Sequence, residues 1–309
     1  MQTIEGLKRS IRSTEDLHSV VRTMKALAAV NIRQFQKASE AVKEYYRTVE
    51  LGLGMVLRRR PEFLQHLERE KVGGRMAAVL FGSDQGMCGQ LNSQVVERAV
   101  ESYRNRGVDP ADVILLVMGE RITGLAEDNN FGVKEYFSVP GSVGAITTLG
   151  REMLPTIESW REREGIGTVD LFYSRPSSGA TSEPVRERML PLDLERLGEL
   201  REKMSARRGL PMFSMEFRPL FSSLIRQHLF FSLFRAVADS LASENAMRLA
   251  SMQGAEKNIE ERLAELQHKF HQTRQMSITE ELLDIVSGFE ALGQEEENEE
   301  SGSERATSA

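Results

Sequence analysis

The chain has one cysteine, Cys88, among 309 residues, which excludes an internal disulfide and any multi-cysteine metal centre and fits a reducing compartment. Aromatic residues are sparse at 6%, and none interleaves with the basic residues near the N-terminus, as a base-stacking platform requires. Nucleic acid is therefore not an expected partner. Long apolar runs are missing too. The best candidate, residues 112–119, falls well short of the roughly 18 residues needed to cross a bilayer, so direct lipid insertion is not expected. Glu5, Glu15 and Asp16 appear within the opening helical pattern, which argues against a signal or transit peptide. Among catalytic signatures, HExxH, GxSxG and an identifiable carboxylate pair are all lacking. No catalytic residue, cofactor or metal is expected.

Two long helical patterns occupy the ends, at residues 1–57 and 216–292. Ile4, Leu7, Ile11, Val21, Ala28, Ile32 and Phe35 fall on one a/d-type register, with Thr14, His18 and Lys25 as its polar members. Near the C-terminus Ile259, Leu263, Leu266 and Phe270 step by helical spacings, and Ile278, Leu282, Ile285 and Phe289 repeat the step. Long helices each need a partner for their apolar stripe, and the economical solution is to pair the two ends as an antiparallel coiled coil. A continuous helix over residues 219–291 would be about 110 Å long at 1.5 Å per residue. Pro219 suits its first turn, and Gly288 and Gly293 mark its end.

Between the helices lies a different pattern. Residues 75–82, 112–119 and 168–174 are short apolar runs alternating with helical stretches at 90–106 and 145–164. This predicts an α/β fold: a mostly parallel, Rossmann-like sheet with helices on both faces. Residues 185–192 alternate more strictly and suit an edge strand, where Pro191 is tolerated. The domain plan is an N-terminal helix at 1–57, a linker at 58–74, an α/β domain at 75–215, a C-terminal helix at 216–292 and an acidic tail at 293–309. The net charge of −6 resides in residues 290–309, which hold seven Glu and one Arg. So polar a segment buries little surface, and the tail reads as disordered.

The loop Ser83-Asp84-Gln85-Gly86-Met87-Cys88-Gly89 follows the first strand, where a nucleotide-binding fold holds its phosphate loop. It has neither GxGxxG nor a Gly-Lys-Ser/Thr ending, so the glycines read as tight turns beside a buried Cys88. His268 and His271 share a helix face but lack a third ligand in register, and read as solvated residues.

Four segments carry a resemblance. The stretch 278–288, ITEELLDIVSG, resembles the C-terminal signature of the gamma subunit of F-type ATP synthases through Thr279, Glu281, Asp284 and Gly288. The stretch 236–248 resembles that family's Ser-Leu-Ala-Ser-Glu helix, and residues 7–29 its opening helix. Residues 83–92 resemble its Ser-Asp-Arg-Gly-Leu-Cys-Gly-x-x-Asn motif through Asp84, Gly86, Cys88, Gly89 and Asn92.

The resemblance implies a non-catalytic central-stalk rotor whose coiled coil turns inside a ring of alpha and beta subunits. Epsilon and the membrane c-ring are the implied further partners. It also implies that Arg274, Gln275 and Thr279 contact the ring, opposite Met24 and Lys25 on the short helix. The implied location is peripheral, on the cytoplasmic face of a bacterial membrane. Gln85, Leu91 and Phe289 depart from the family pattern, and Phe289 would enlarge the shaft tip. Two alternatives stand beside this reading. A ligand-binding α/β protein would use the 86–89 loop, and a coiled-coil adaptor would dimerise through its seams. Polar His18 and Lys25 count against a permanently dry adaptor seam.

Overall fold

The computed structural model describes residues 3–60, 74–177, 181–205 and 213–306, without side chains at 204–205 and from 288 onward. Most of the expected linker lies outside these residues. In chain order the elements are α1 (Ile4–Arg59), β1 (Arg75–Phe81), α2 (Leu91–Arg104), a 3-10 turn (Pro110–Asp112), β2 (Val113–Met118), α3 (Glu120–Asp128), β3 (Gly132–Phe137), α4 (Val143–Glu164), β4 (Ile166–Pro176), β5 (Ser182–Leu190), α5 (Leu194–Ser205) and α6 (Phe217–Ala306). They form two compact units: residues 1–23 with 253–309, and residues 24–252.

The second unit is built on a five-stranded sheet of order β3-β2-β1-β4-β5, parallel throughout except for the antiparallel β4–β5 pair. β2 is buried at every position, as a central parallel strand must be when helices cover both faces. One face packs on α2 and α3 through Val95, Ala99, Tyr103 and Ile122. The other packs on α4, on Phe35, Ala38 and Val42 of α1, and on Leu229 to Ala242 of α6. Fully burying each such apolar side chain is worth about 1.5–3 kcal/mol. A third cluster joins Val49, Leu53 and Leu57 of α1 to Leu197 of α5 and Phe221 of α6.

The expected strands are present, and Pro191 follows directly on β5 at the sheet edge. β3 is an addition to the sequence reading. Its residues GVKEYF are exposed at four of six positions, because an edge strand needs hydrogen-bonding partners on one side only and little apolar content.

In each unit the terminal helices run antiparallel. In the first, Lys8 lies over the Phe270 ring at 5.9 Å, and His18 Nε2 is 3.6 Å from Glu260. In the second, Asn31 donates to Asn245, and Ser39 donates to Asp239. Every residue of the expected α1 register, from Ile4 to Phe35, is buried or half-buried. Thr3 caps the helix by accepting from the Gly6 N–H at 3.2 Å.

The second C-terminal stripe differs from the expectation. Leu266 is buried, and Ile259, Leu263 and Phe270 are half-buried. Ile278, Leu282 and Ile285, however, are 48%, 57% and 56% exposed. The register explains why: with Lys8 against Phe270, the start of α1 at Ile4 leaves the later turns of α6 beyond the reach of α1. The backbone of α6 also runs past Gly288 and Gly293 to Ala306. Glu, Gln and Ala are good helix formers, so a polar sequence of this composition is compatible with helical geometry.

Candidate functional site

The loop after β1 is closed by its own side chains. Asn92, on the first turn of α2, accepts from the Ser83 N–H at 3.0 Å and donates to Ser83 Oγ at 2.9 Å. Ser83 Oγ lies 3.3 Å from the buried Cys88 sulfur. Asp84 reaches outward from the same turn. Its Oδ1 accepts from the Glu120 N–H at 2.9 Å and from Tyr136 Oη at 3.2 Å, and its Oδ2 accepts from the Val139 N–H at 2.9 Å. One carboxylate thus caps α3 and ties down the loop after β3.

The glycines here answer to crowding. Gly119, at φ +113°, would bring a Cβ within 2.7 Å of the Ser83 nitrogen, and a Cβ on Gly82 would lie 2.4 Å from that of Ile122. Gly89 adopts φ +60°, whereas Gly86 has open space around it. Asp84, Cys88 and Asn92 therefore form one structural knot with Ser83.

In a doubly wound sheet a nucleotide sits beyond the carboxyl ends of the strands, where the strand order reverses. Here that place lies beside β1 and β4, and α6 fills it. Ser240 Oγ donates to the Phe81 carbonyl at 3.4 Å and Ser243 Oγ to the Ser174 carbonyl at 3.0 Å. Arg248 reaches the Gln85 carbonyl at 3.5 Å and pairs with Glu244 at 2.6 Å. Burial pushes the Glu244 carboxyl up, while Arg248 beside it pulls the other way. Ser240, Ser243 and Glu244 belong to the Ser-Leu-Ala-Ser-Glu stretch, whose small polar side chains let the helix sit directly on the strand ends. The chain's own helix occupies the crevice a dinucleotide would use.

Sequence reasoning missed a second polar centre. Asp170, fully buried on β4, lies between Arg106 at 2.8 Å and Arg186 at 2.9 Å, and accepts from Tyr103 Oη at 3.3 Å. Burial pushes the Tyr103 hydroxyl well up, and Asp170 adds to the effect. The available signal was a lone acid inside an apolar strand, which must find a partner.

Of the expected contact residues, Met24 and Lys25 are half-buried on α1 in the second unit. Arg274, Gln275, Thr279, Glu281 and Asp284 are exposed on α6 in the first. Thr279 Oγ1 donates to the Gln275 carbonyl at 2.9 Å, which joins two of them on successive turns. Around them Leu282, Leu283, Ile285 and Val286 are 57%, 60%, 56% and 51% exposed. Gly288 lies within the α6 backbone, and the Phe289 side chain falls outside the described residues.

His268 is exposed, and His271 rests against the Phe270 ring at 5.6 Å. The grouping with metal-ligand chemistry among the described residues is instead His18 with Glu256 and Glu260, their ligand atoms within 4.8 Å of one another. It forms a polar layer in the helix pairing of the first unit.

Residues 3–292 match the protein family described as ATP synthase. The ATP synthase gamma chain of Geotalea uraniireducens is 24% identical over 94% of this chain and 99% of its own length. That of Neisseria gonorrhoeae is 27% identical over 91% and 97%. Among solved structures, the rotor of the Euglena gracilis mitochondrial ATP synthase superposes with a TM-score of 0.59 at 15% identity, over 89% of this chain and 98% of that one. The Tetrahymena thermophila central stalk with its c-ring gives 0.55 at 17% identity, over 76% and 99%.

Proposed function

The chain belongs to the gamma-chain family of ATP synthases, and on that premise we propose that its exposed α6 stripe is the bearing surface of a central-stalk rotor. The subunit is non-catalytic. As the shaft of an F-type ATP synthase it couples ion flow through the membrane sector to ATP synthesis or hydrolysis in the alpha/beta ring. Epsilon and the c-ring are its other partners.

The observation that carries the bearing assignment is the apolar stretch of α6 that is exposed, with no helix among the described residues opposite it. A chain leaves a contiguous run of exposed Leu, Ile and Val where another molecule covers it. The sleeve formed by alpha and beta subunits is that cover. Arg274, Gln275, Thr279, Glu281 and Asp284 lie on the same turns and supply its polar contacts, with Met24 and Lys25 as the contacts on α1.

The subunit is a peripheral part of a membrane complex, and no described helix is long and apolar enough to cross a bilayer. We place it on the cytoplasmic face of a bacterial membrane, in keeping with the bacterial relatives. The ligand-binding alternative loses its natural crevice to α6, and the adaptor alternative leaves the match over residues 3–292 unexplained.

Co-expression with alpha and beta subunits from the same genome tests the assignment. Co-elution as one copy per ring, with raised ATPase turnover, is the expected result. A separate elution peak without effect on turnover would overturn it.

A further inference from the structure

A cavity of about 640 Å³ in the second unit is lined from α1, β4, β5, α5 and α6. Five arginines face it, Arg175, Arg186, Arg188, Arg196 and Arg235, against three acids. Each acid is already engaged. Glu187 is shared by Arg235 at 2.6 Å, Arg175 at 3.7 Å and the Tyr173 hydroxyl at 2.8 Å. Glu50 pairs with Arg196 at 2.6 Å, and Asp193 caps α5 by accepting from the Arg196 N–H at 3.0 Å. The wall therefore carries an excess of positive charge.

Several buried donors on that wall lack a hydrogen-bond partner: Arg235 Nε, and Nε and Nη2 of Arg186. Arg186 Nη2 lies 2.9 Å from Asp170 Oδ1, close enough for an ion pair but without hydrogen-bond alignment. His228, at the same wall, has an unpartnered buried Nδ1, while its Nε2 meets Tyr46 Oη at 3.3 Å. Unmade hydrogen bonds at buried guanidinium groups are costly, and their natural complement is an oxyanion that several N–H groups address together.

We propose that the cavity walled by Arg175, Arg186, Arg196 and Arg235 binds a phosphate-bearing anion. Planar guanidinium forks match phosphate oxygens two at a time, and the volume accommodates a di- or triphosphate more readily than a lone carboxylate. The bound anion would touch α1, β5, α5 and α6 at once and stiffen their junction. The site shares no residue with the loop after β1 or with the bearing stripe, so it does not depend on the rotor assignment.

His228 supplies a site-specific readout. Burial first, and then the positive charge of Arg196, hold its imidazole down to about 4. A phosphate group set among the same arginines reverses that electrostatic environment and raises the midpoint.

The full-length chain, labelled at histidine and assigned through His228→Gln, is titrated by NMR with inorganic pyrophosphate, and with acetate as the control. In a second arm the chain is sedimented with vesicles of phosphatidylcholine alone or with phosphatidic acid. Saturable pyrophosphate binding that raises the His228 midpoint by about one unit identifies a free phosphate compound. Retention on phosphatidic acid vesicles, without a response to pyrophosphate, identifies a lipid headgroup. Arg235→Gln weakens either by about tenfold or more, with Arg235→Lys restoring part, and the rim variant Arg188→Gln weakens it by about threefold. An unmoved His228 resonance with pyrophosphate together with no selective retention on phosphatidic acid vesicles, or equal responses to acetate and pyrophosphate, overturns the proposal. So does unchanged affinity in both the Arg235 and Arg188 variants.

Discussion

Two stretches of α6 carry runs of large apolar residues and meet opposite fates. Leu229, Leu233, Phe234, Val237 and Leu241 are at most 7% exposed against the sheet and α4, whereas Leu282, Leu283, Ile285 and Val286 are more than half exposed. Apolar spacing says that a stripe has to be covered; it does not say by which chain. The first stretch is satisfied within the molecule and holds it together. The second adds little to the chain's own stability, and its apolar surface becomes useful only when a partner removes it from water.

The sharpest way to break this contrast is a matched pair of truncations. Leu233→Ala removes a fully buried side chain and is expected to lower unfolding free energy by about 3 kcal/mol in urea titrations, from lost burial and the cavity left behind.

A pH scan ranks next. His228 is held down to about 4, below its ordinary 6.5, chiefly by burial. Its contribution is thus fully present above the unfolded value and is lost as pH falls toward the folded one. Between pH 7 and pH 5 the chain is expected to lose on the order of 2 kcal/mol more than a His228→Gln variant, which lacks this titration.

A smaller effect is expected at the knot after β1. Asp84→Ala removes the acceptor for Glu120, Tyr136 and Val139 and should cost about 1–2 kcal/mol, read by thermal unfolding.

The smallest effect on stability belongs to the other member of the pair. Leu282→Ser with Ile285→Ser, both on exposed turns, should change the free chain's stability by less than about 0.5 kcal/mol. The same double variant is expected to reduce severalfold the ATPase turnover that the chain stimulates in the alpha/beta ring. A large loss of free-chain stability would mean that the stripe is covered within the molecule after all.

The helical ends were legible because their cause is local. A period near 3.5 from Ile4 to Phe35 marks residues that the structure buries or half-buries, polar Thr14, His18 and Lys25 among the half-buried. β1, β2 and β4 were legible for a related reason: a strand covered on both faces is largely apolar. The glycines of the loop after β1 likewise read as tight turns beside Cys88. β3 left no comparable mark, since an exposed edge strand needs no apolar run, and α5 shows its one buried leucine, Leu197, only against α1 and α6.

By itself the sequence determined the paired terminal helices, the alternating α/β centre and the family to which both belong, because periodicity and short motifs record burial and turn geometry between near neighbours. Only the tertiary structure decided that α6 fills the crevice beside β1 and β4, that Asp170 sits between two arginines, that the later turns of α6 outrun α1, and that Glu50, Glu187, Arg196, His228 and Arg235 meet around one cavity. Those groups are far apart in the chain, and their charges act on one another only after the packed core has fixed where each element lies.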